Sequence, residues 1–181
     1  MRRFLFLFAL AGTASCASSG SPPNTGIATP SERIIASDNQ GAMRTTVAPN
    51  AKVRIPAAPS RVLPALRTVF SDLDIPVTTD DPNSGRLGNT NFWKSRRLGN
   101  EPISSYLNCG STITGLAADT YRVYISLLTA VRADGSGGSE LETAFTAQAQ
   151  NMEGTTADRV ACATTGRLEE RIHRMVLQKL G

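Results

Sequence analysis

His173 is the single histidine of this 181-residue chain, so any Ser-His-Asp or Cys-His mechanism would have to run through it. It lies between Arg171 and Arg174, with Glu169 and Glu170 one turn earlier, in a segment whose spacing reads as a helix. No Gly-x-Ser-x-Gly elbow is present. These neighbours describe a solvated helix residue, and no catalytic group is expected. Asp80-Asp81, and Asp134 with Glu140 and Glu142, offer oxygen ligands but lack the spacing of an EF-hand loop. Asp and Gly at such positions build turns for backbone reasons. One histidine cannot make a Cys2His2 site, and a Cys-x-x-Cys pair is absent. No metal and no cofactor is expected.

The stretch 92–97, Phe-Trp-Lys-Ser-Arg-Arg, interleaves two aromatics with three cations. Such a platform can stack bases or bind an anionic lipid or glycan. The competing reading is a strand end whose Trp93 enters the core while its charges stay in water. The candidate binding surface is Trp93, Lys94, Arg96 and Arg97, with Tyr106 and Asn108 on the long loop that follows. A ligand is expected between that loop and the sheet.

The N-terminus has the three-part layout of an export signal. Arg2 and Arg3 are followed by the apolar run 4–11 and then by small residues. Eight apolar residues are too few for a bilayer span, which needs about 20. The tetrad Thr13-Ala14-Ser15-Cys16 resembles the lipobox of bacterial lipoproteins, although Thr13 stands where that family usually has Leu. The resemblance covers only the leader. It implies a signal peptide over 1–15, acylation of Cys16, and attachment of the chain to the membrane through that residue. Ala17 after the cysteine resembles an outer-membrane destination with the domain facing the periplasm. The alternative is ordinary cleavage near Ser15-Cys16-Ala17 and a soluble exported protein.

The chain carries 19 Lys+Arg against 15 Asp+Glu, a net charge of +4, and loses two positive charges with the leader. That near balance gives no reason to expect a nucleic-acid partner. With Cys16 acylated, Cys109 and Cys162 are left, and an even pair in an exported chain reads as a disulfide. It would close a loop of about 50 residues and contribute at most ~4 kcal/mol in the chain-entropy account.

Residues 16–30 are rich in Ser, Pro, Gly and Thr and read as a flexible tether. Residues 31–181 make one domain, beginning with short edge strands over 31–58. Val62, Leu66, Val69, Phe70 and Leu73 form a helical stripe over 60–74, which Ser60 can cap. Residues 75–79 and 86–93 read as strands around the turn at 80–85, and 94–119 as a loop with one short helical turn. Alternation is cleanest over 120–131 and 140–150, a hairpin with one buried face. Residues 151–165 read as a second loop, and 166–180 as an amphipathic helix capped by Thr165 or Gly166.

The resulting fold class is α+β: an antiparallel sheet with two amphipathic helices packed on one face, a two-layer domain. The element order resembles helix-grip domains and the BamC-type envelope lipoproteins, over roughly residues 58–181. No residue motif supports that resemblance, so it transfers no functional residues. The expected function is a non-catalytic, lipid-anchored envelope protein whose domain binds a protein partner or scaffolds an envelope complex. The alternative is a small-ligand or lipid carrier with a pocket between the last helix and the sheet.

Overall fold

The computed structural model describes residues 31–35, 43–47, 50–152 and 159–181, the first two segments as backbone only. In chain order the elements are β1 (Ser31–Ile35), β2 (Met43–Val47), β3 (Ala51–Ile55), α1 (Pro59–Asp72), β4 (Thr79–Asp81) and β5 (Arg86–Ser95). Then come β6 (Arg97–Leu98), β7 (Glu101–Pro102), a 3-10 turn (Ile103–Ser105), β8 (Leu107–Asn108), β9 (Ser111–Thr112), β10 (Gly115–Leu116) and the single-turn α2 (Ala117–Thr120). The chain closes with β11 (Arg122–Ala133), β12 (Ser139–Gln150), β13 (Arg159–Thr164) and α3 (Arg167–Leu180).

The antiparallel sheet runs β4-β5-β11-β12-β13-β8, and β3 pairs with the first half of β12. Its centre is the β11–β12 hairpin, paired from Arg122↔Gln150 to Ala133↔Ser139. Val123, Ile125, Leu127, Thr129 and Val131 point inward from β11, and Leu141, Thr143, Phe145, Ala147 and Ala149 from β12. Period-2 alternation puts one such row on a single face. Both long helices cover that face. Val62, Leu66, Val69 and Phe70 of α1 and Leu168, Ile172 and Val176 of α3 complete one core with the strand residues. The two-layer α+β fold expected from the sequence is the fold observed.

Helix α1 starts at Pro59, one residue before the expected start, with Ala58 as N-cap and no side-chain cap. Ser60 is therefore inside the first turn and does not cap it. Proline fits at N1 because that position needs no donor. The helix ends as Asp74 turns left-handed (φ 55) and the Ile75 N–H bonds the Phe70 carbonyl at 2.8 Å. Gly166 (φ 78) is the N-cap of α3, and Thr165 Oγ1 accepts the Arg167 N–H at 3.4 Å.

Three segments differ from the sequence reading. Residues 75–77 stay outside the sheet, the Thr78 N–H bonds the Gly88 carbonyl at 3.0 Å, and β4 begins only at Thr79. Ile75 is buried beneath the helix end, and Pro76 has no N–H for a ladder. The stretch 94–119 is a series of two-residue strands, the 3-10 turn and α2 rather than a plain loop. Residues 159–164, read as loop, form β13, which pairs with β12 through Ala147↔Cys162 to Gln150↔Arg159.

The Cys109–Cys162 disulfide is present and closes 53 residues of chain. Asn108↔Ala163 and Leu107↔Thr164 are paired, so the two cysteines continue the same β8–β13 ladder with Cα atoms 4.2 Å apart. It fastens the 97–120 segment to the sheet, burying Ile103, Tyr106 and Leu107. At the opposite end, Gly85 (φ +67) is buried, and a Cβ there would meet the Val131 carbonyl oxygen. Only glycine fits that approach without strain.

Candidate functional site

A bulge in β5 decides which side chains reach the open face of the sheet. Pairing runs Leu87↔Thr129 and Asn89↔Leu127, then resumes at Phe92↔Ile125, leaving an extra residue in β5 opposite Ser126. Asn89 is buried, and its Oδ1 accepts the Asn91 N–H at 2.8 Å across the bulge. An inserted residue reverses the alternation that follows it. Leu87 and Asn89 point inward before it, and Phe92 points inward after it. Trp93 is thereby turned outward and is 54% exposed. The competing reading, in which its ring enters the core as a strand end, is corrected by this register shift.

Trp93 pairs with Tyr124, so the two rings are neighbours on the open face. Arg122 lies over the Trp93 ring, Cζ 4.5 Å from its centroid, and Arg159 lies over Tyr124 at 3.8 Å. Arg159 belongs to β13 and reaches across β12 to do so. Neither arginine was among the sequence candidates.

The other candidates separate. Lys94 points to the helix side and forms an ion pair with Asp74 at the end of α1. Arg96 is exposed with φ 67 and accepts the Ile103 N–H on its carbonyl at 3.0 Å. Arg97 sits in the β6–β7 hairpin and donates to the Asn100 carbonyl. Tyr106 is not a surface residue: it is 3% exposed, and its hydroxyl accepts a hydrogen bond from Arg171 of α3. The disulfide tie pulls this part of the chain into the core. Asn108 uses its Oδ1 to accept the Gly110 N–H at 3.0 Å.

At this end of the sheet a groove of about 550 Å³ separates the β9–β10 hairpin from the start of β11 and the end of β12. Arg96, Ile113, Asp119, Tyr121 and Met152 line it. Ile113, at the hairpin tip, is fully exposed, and Leu116 and Met152 are more than half as open to solvent as they can be or equal to that mark. These lie in the region between loop and sheet that the sequence pointed to, although the apolar residues in it were not singled out.

The far end of the sheet differs in charge. Lys52 faces Glu140 at 3.4 Å, Arg132 pairs with Glu142 at 2.8 Å, and Arg54 pairs with Asp134 at 2.7 Å. Asp134 also accepts the Ser136 and Gly138 N–H groups at 2.8 and 2.9 Å. The Ser136 amide above all holds its carboxyl down to about 2. Its Oδ1 serves the hairpin turn, and its Oδ2 takes Arg54 of β3.

Glu169, at the start of α3, is 8% exposed, and burial pushes its carboxyl above the usual range. Its Oε2 is buried without a hydrogen-bond partner. Among the described residues, no group of three or more His, Cys, Asp and Glu is placed to hold a metal ion, and no helix is long and apolar enough to cross a membrane. The expected signal segment 1–15, Cys16 and the expected tether over 16–30 lie outside the described residues. No protein-family model matches the chain, and no curated protein matches it.

Proposed function

We propose that this protein is a non-catalytic, lipid-anchored component of the cell envelope whose α+β domain docks a protein partner. Acylated Cys16 holds it at the membrane, with the outer membrane as the destination and the domain in the periplasm. The docking end is the one carrying the groove and the β9–β10 hairpin. The observation that carries this reading is Ile113, fully exposed at the hairpin tip and followed by exposed Leu116, with Met152 across the groove. Large apolar side chains clustered in water mark interaction sites, whereas single ones do not.

The carrier alternative needs an apolar chamber. The space between the helices and the sheet is instead filled, with Leu66, Val69, Phe70, Leu141 and Leu168 at zero exposure.

The test is crosslinking in the native envelope followed by purification of the protein. A discrete partner captured by the wild type and lost in Ile113→Asp/Met152→Asp, with unchanged thermal stability, is the expected result. Equal capture by both proteins contradicts the docking end. Release of Cys16→Ser from membranes is expected, and its retention there contradicts the anchor.

A further inference from the structure

The open face of the sheet holds a second feature, beside the apolar hairpin end but built from other residues. Arg122 and Arg159 lie over the rings of adjacent residues Trp93 and Tyr124. The two guanidinium groups therefore sit over neighbouring strands, roughly 5 Å apart in strand spacing. Among the described side chains, no ion pair includes either one, in contrast to Lys52, Arg54 and Arg132 at the far end. Arg122 Nε is buried and has no hydrogen-bond partner. A guanidinium resting on a ring engages through its face and leaves its terminal N–H groups to meet a ligand. The ring also holds the fork in place, so less freedom is lost when an oxyanion binds.

The surroundings narrow the ligand. Asn91, Ser126, Thr146 and Gln148 edge a shallow depression of about 150 Å³ beside Tyr124 and Arg159. These are hydroxyl and amide groups, suited to a ligand that is itself rich in hydroxyls. At about 150 Å³ the depression is too small to enclose an acyl chain.

We propose that Arg122 and Arg159, laid on Trp93 and Tyr124, form a binding site for a carboxylate-bearing glycan. The guanidinium forks take carboxylates, and the amides and hydroxyls take ring hydroxyls. The site goes beyond the protein-docking reading and rests on other residues.

Trp93 is the only tryptophan, so its fluorescence reports on the site directly. The full chain is titrated with oligogalacturonate, and with maltohexaose, polyglutamate and phosphatidylglycerol vesicles as comparisons. A saturable change is expected with oligogalacturonate alone. Arg122→Gln/Arg159→Gln is expected to weaken it by about tenfold or more, the scale of lost charge-assisted hydrogen bonds. Arg122→Lys/Arg159→Lys, which keeps charge but not the fork, is expected to fall between. Circular dichroism checks that each variant is folded. No response to oligogalacturonate overturns the proposal, as does unchanged affinity in the Gln variant. Equal response to polyglutamate or to the vesicles also overturns it, since charge alone then suffices. None of these outcomes touches the Ile113 docking end, whose test is partner capture.

Discussion

Trp93 and Tyr124 stand side by side on the open face of the sheet, directly paired between β5 and β11. Their adjacency follows from the one extra residue in β5. Without it, the inward row of Leu87 and Asn89 would continue through Asn91 to Trp93, and Phe92 would face water. The bulge therefore converts a core tryptophan into a surface one, and Arg122 occupies the ring that is exposed as a result.

Trp93→Ala is expected to change stability by no more than about 1 kcal/mol, the scale of an exposed cation–π contact. Phe70→Ala, at zero exposure between α1 and the sheet, is expected to cost about 3–5 kcal/mol. Urea denaturation of the two variants separates surface from core. A loss for Trp93→Ala as large as that for Phe70→Ala would contradict the register of β5.

The disulfide joins segments 53 residues apart, so its loss frees a long loop in the unfolded chain. Cys109→Ser/Cys162→Ser is expected to lose about 2–4 kcal/mol of stability. Hydrogen exchange should rise first over 97–120, the segment the bond fastens to β13. Non-reducing mass spectrometry should recover the two cysteines in one linked peptide pair. Free thiols at both positions would contradict the pairing.

Glu169 supplies a pH dependence with a definite sign. Burial raises its carboxyl pKa, so the folded chain binds this proton more tightly than the unfolded chain. Its contribution is most favourable below the usual glutamate pKa. That contribution is lost as pH rises from there through the raised folded value, at about 1.4 kcal/mol for each unit between the two. Glu169→Gln removes the titration. The variant's advantage over wild type is expected to grow across this window and then level off. Denaturation midpoints measured from pH 4 upward check this. A constant difference between the two proteins would place the carboxylate in water.

The elements with long periodic signals were legible in the sequence. Alternation over 120–131 and 140–150 gave the central hairpin and its buried face, and the stripe from Val62 to Leu73 gave α1. Strand β13 escapes the sequence reading because Arg-Val-Ala-Cys-Ala-Thr is short, and its pairing with β8 is long-range. Tyr106 read as a surface residue because its neighbours Ser104, Ser105 and Asn108 are polar. The disulfide and the Arg171 contact, both distant in sequence, bury it. The run 92–97 flagged Trp93 but grouped it with Lys94, which the pleat sends to the opposite face. The cations that do reach the rings, Arg122 and Arg159, become neighbours only through the sheet register. The Asn89-Thr90-Asn91 stretch was the one local signal of the bulge, because a buried asparagine can hold the extra residue through its side chain.

The central claim is that the end bearing the β9–β10 hairpin docks a protein. Site-specific photocrosslinking in the intact envelope tests it most directly. A photoreactive amino acid is placed at Ile113 and, as a comparison, at Val77, another exposed apolar residue away from the groove. The account predicts one discrete adduct from position 113, none from position 77, and loss of the adduct when Met152→Asp is added. Adducts of equal yield from both positions, or none from position 113, would contradict it.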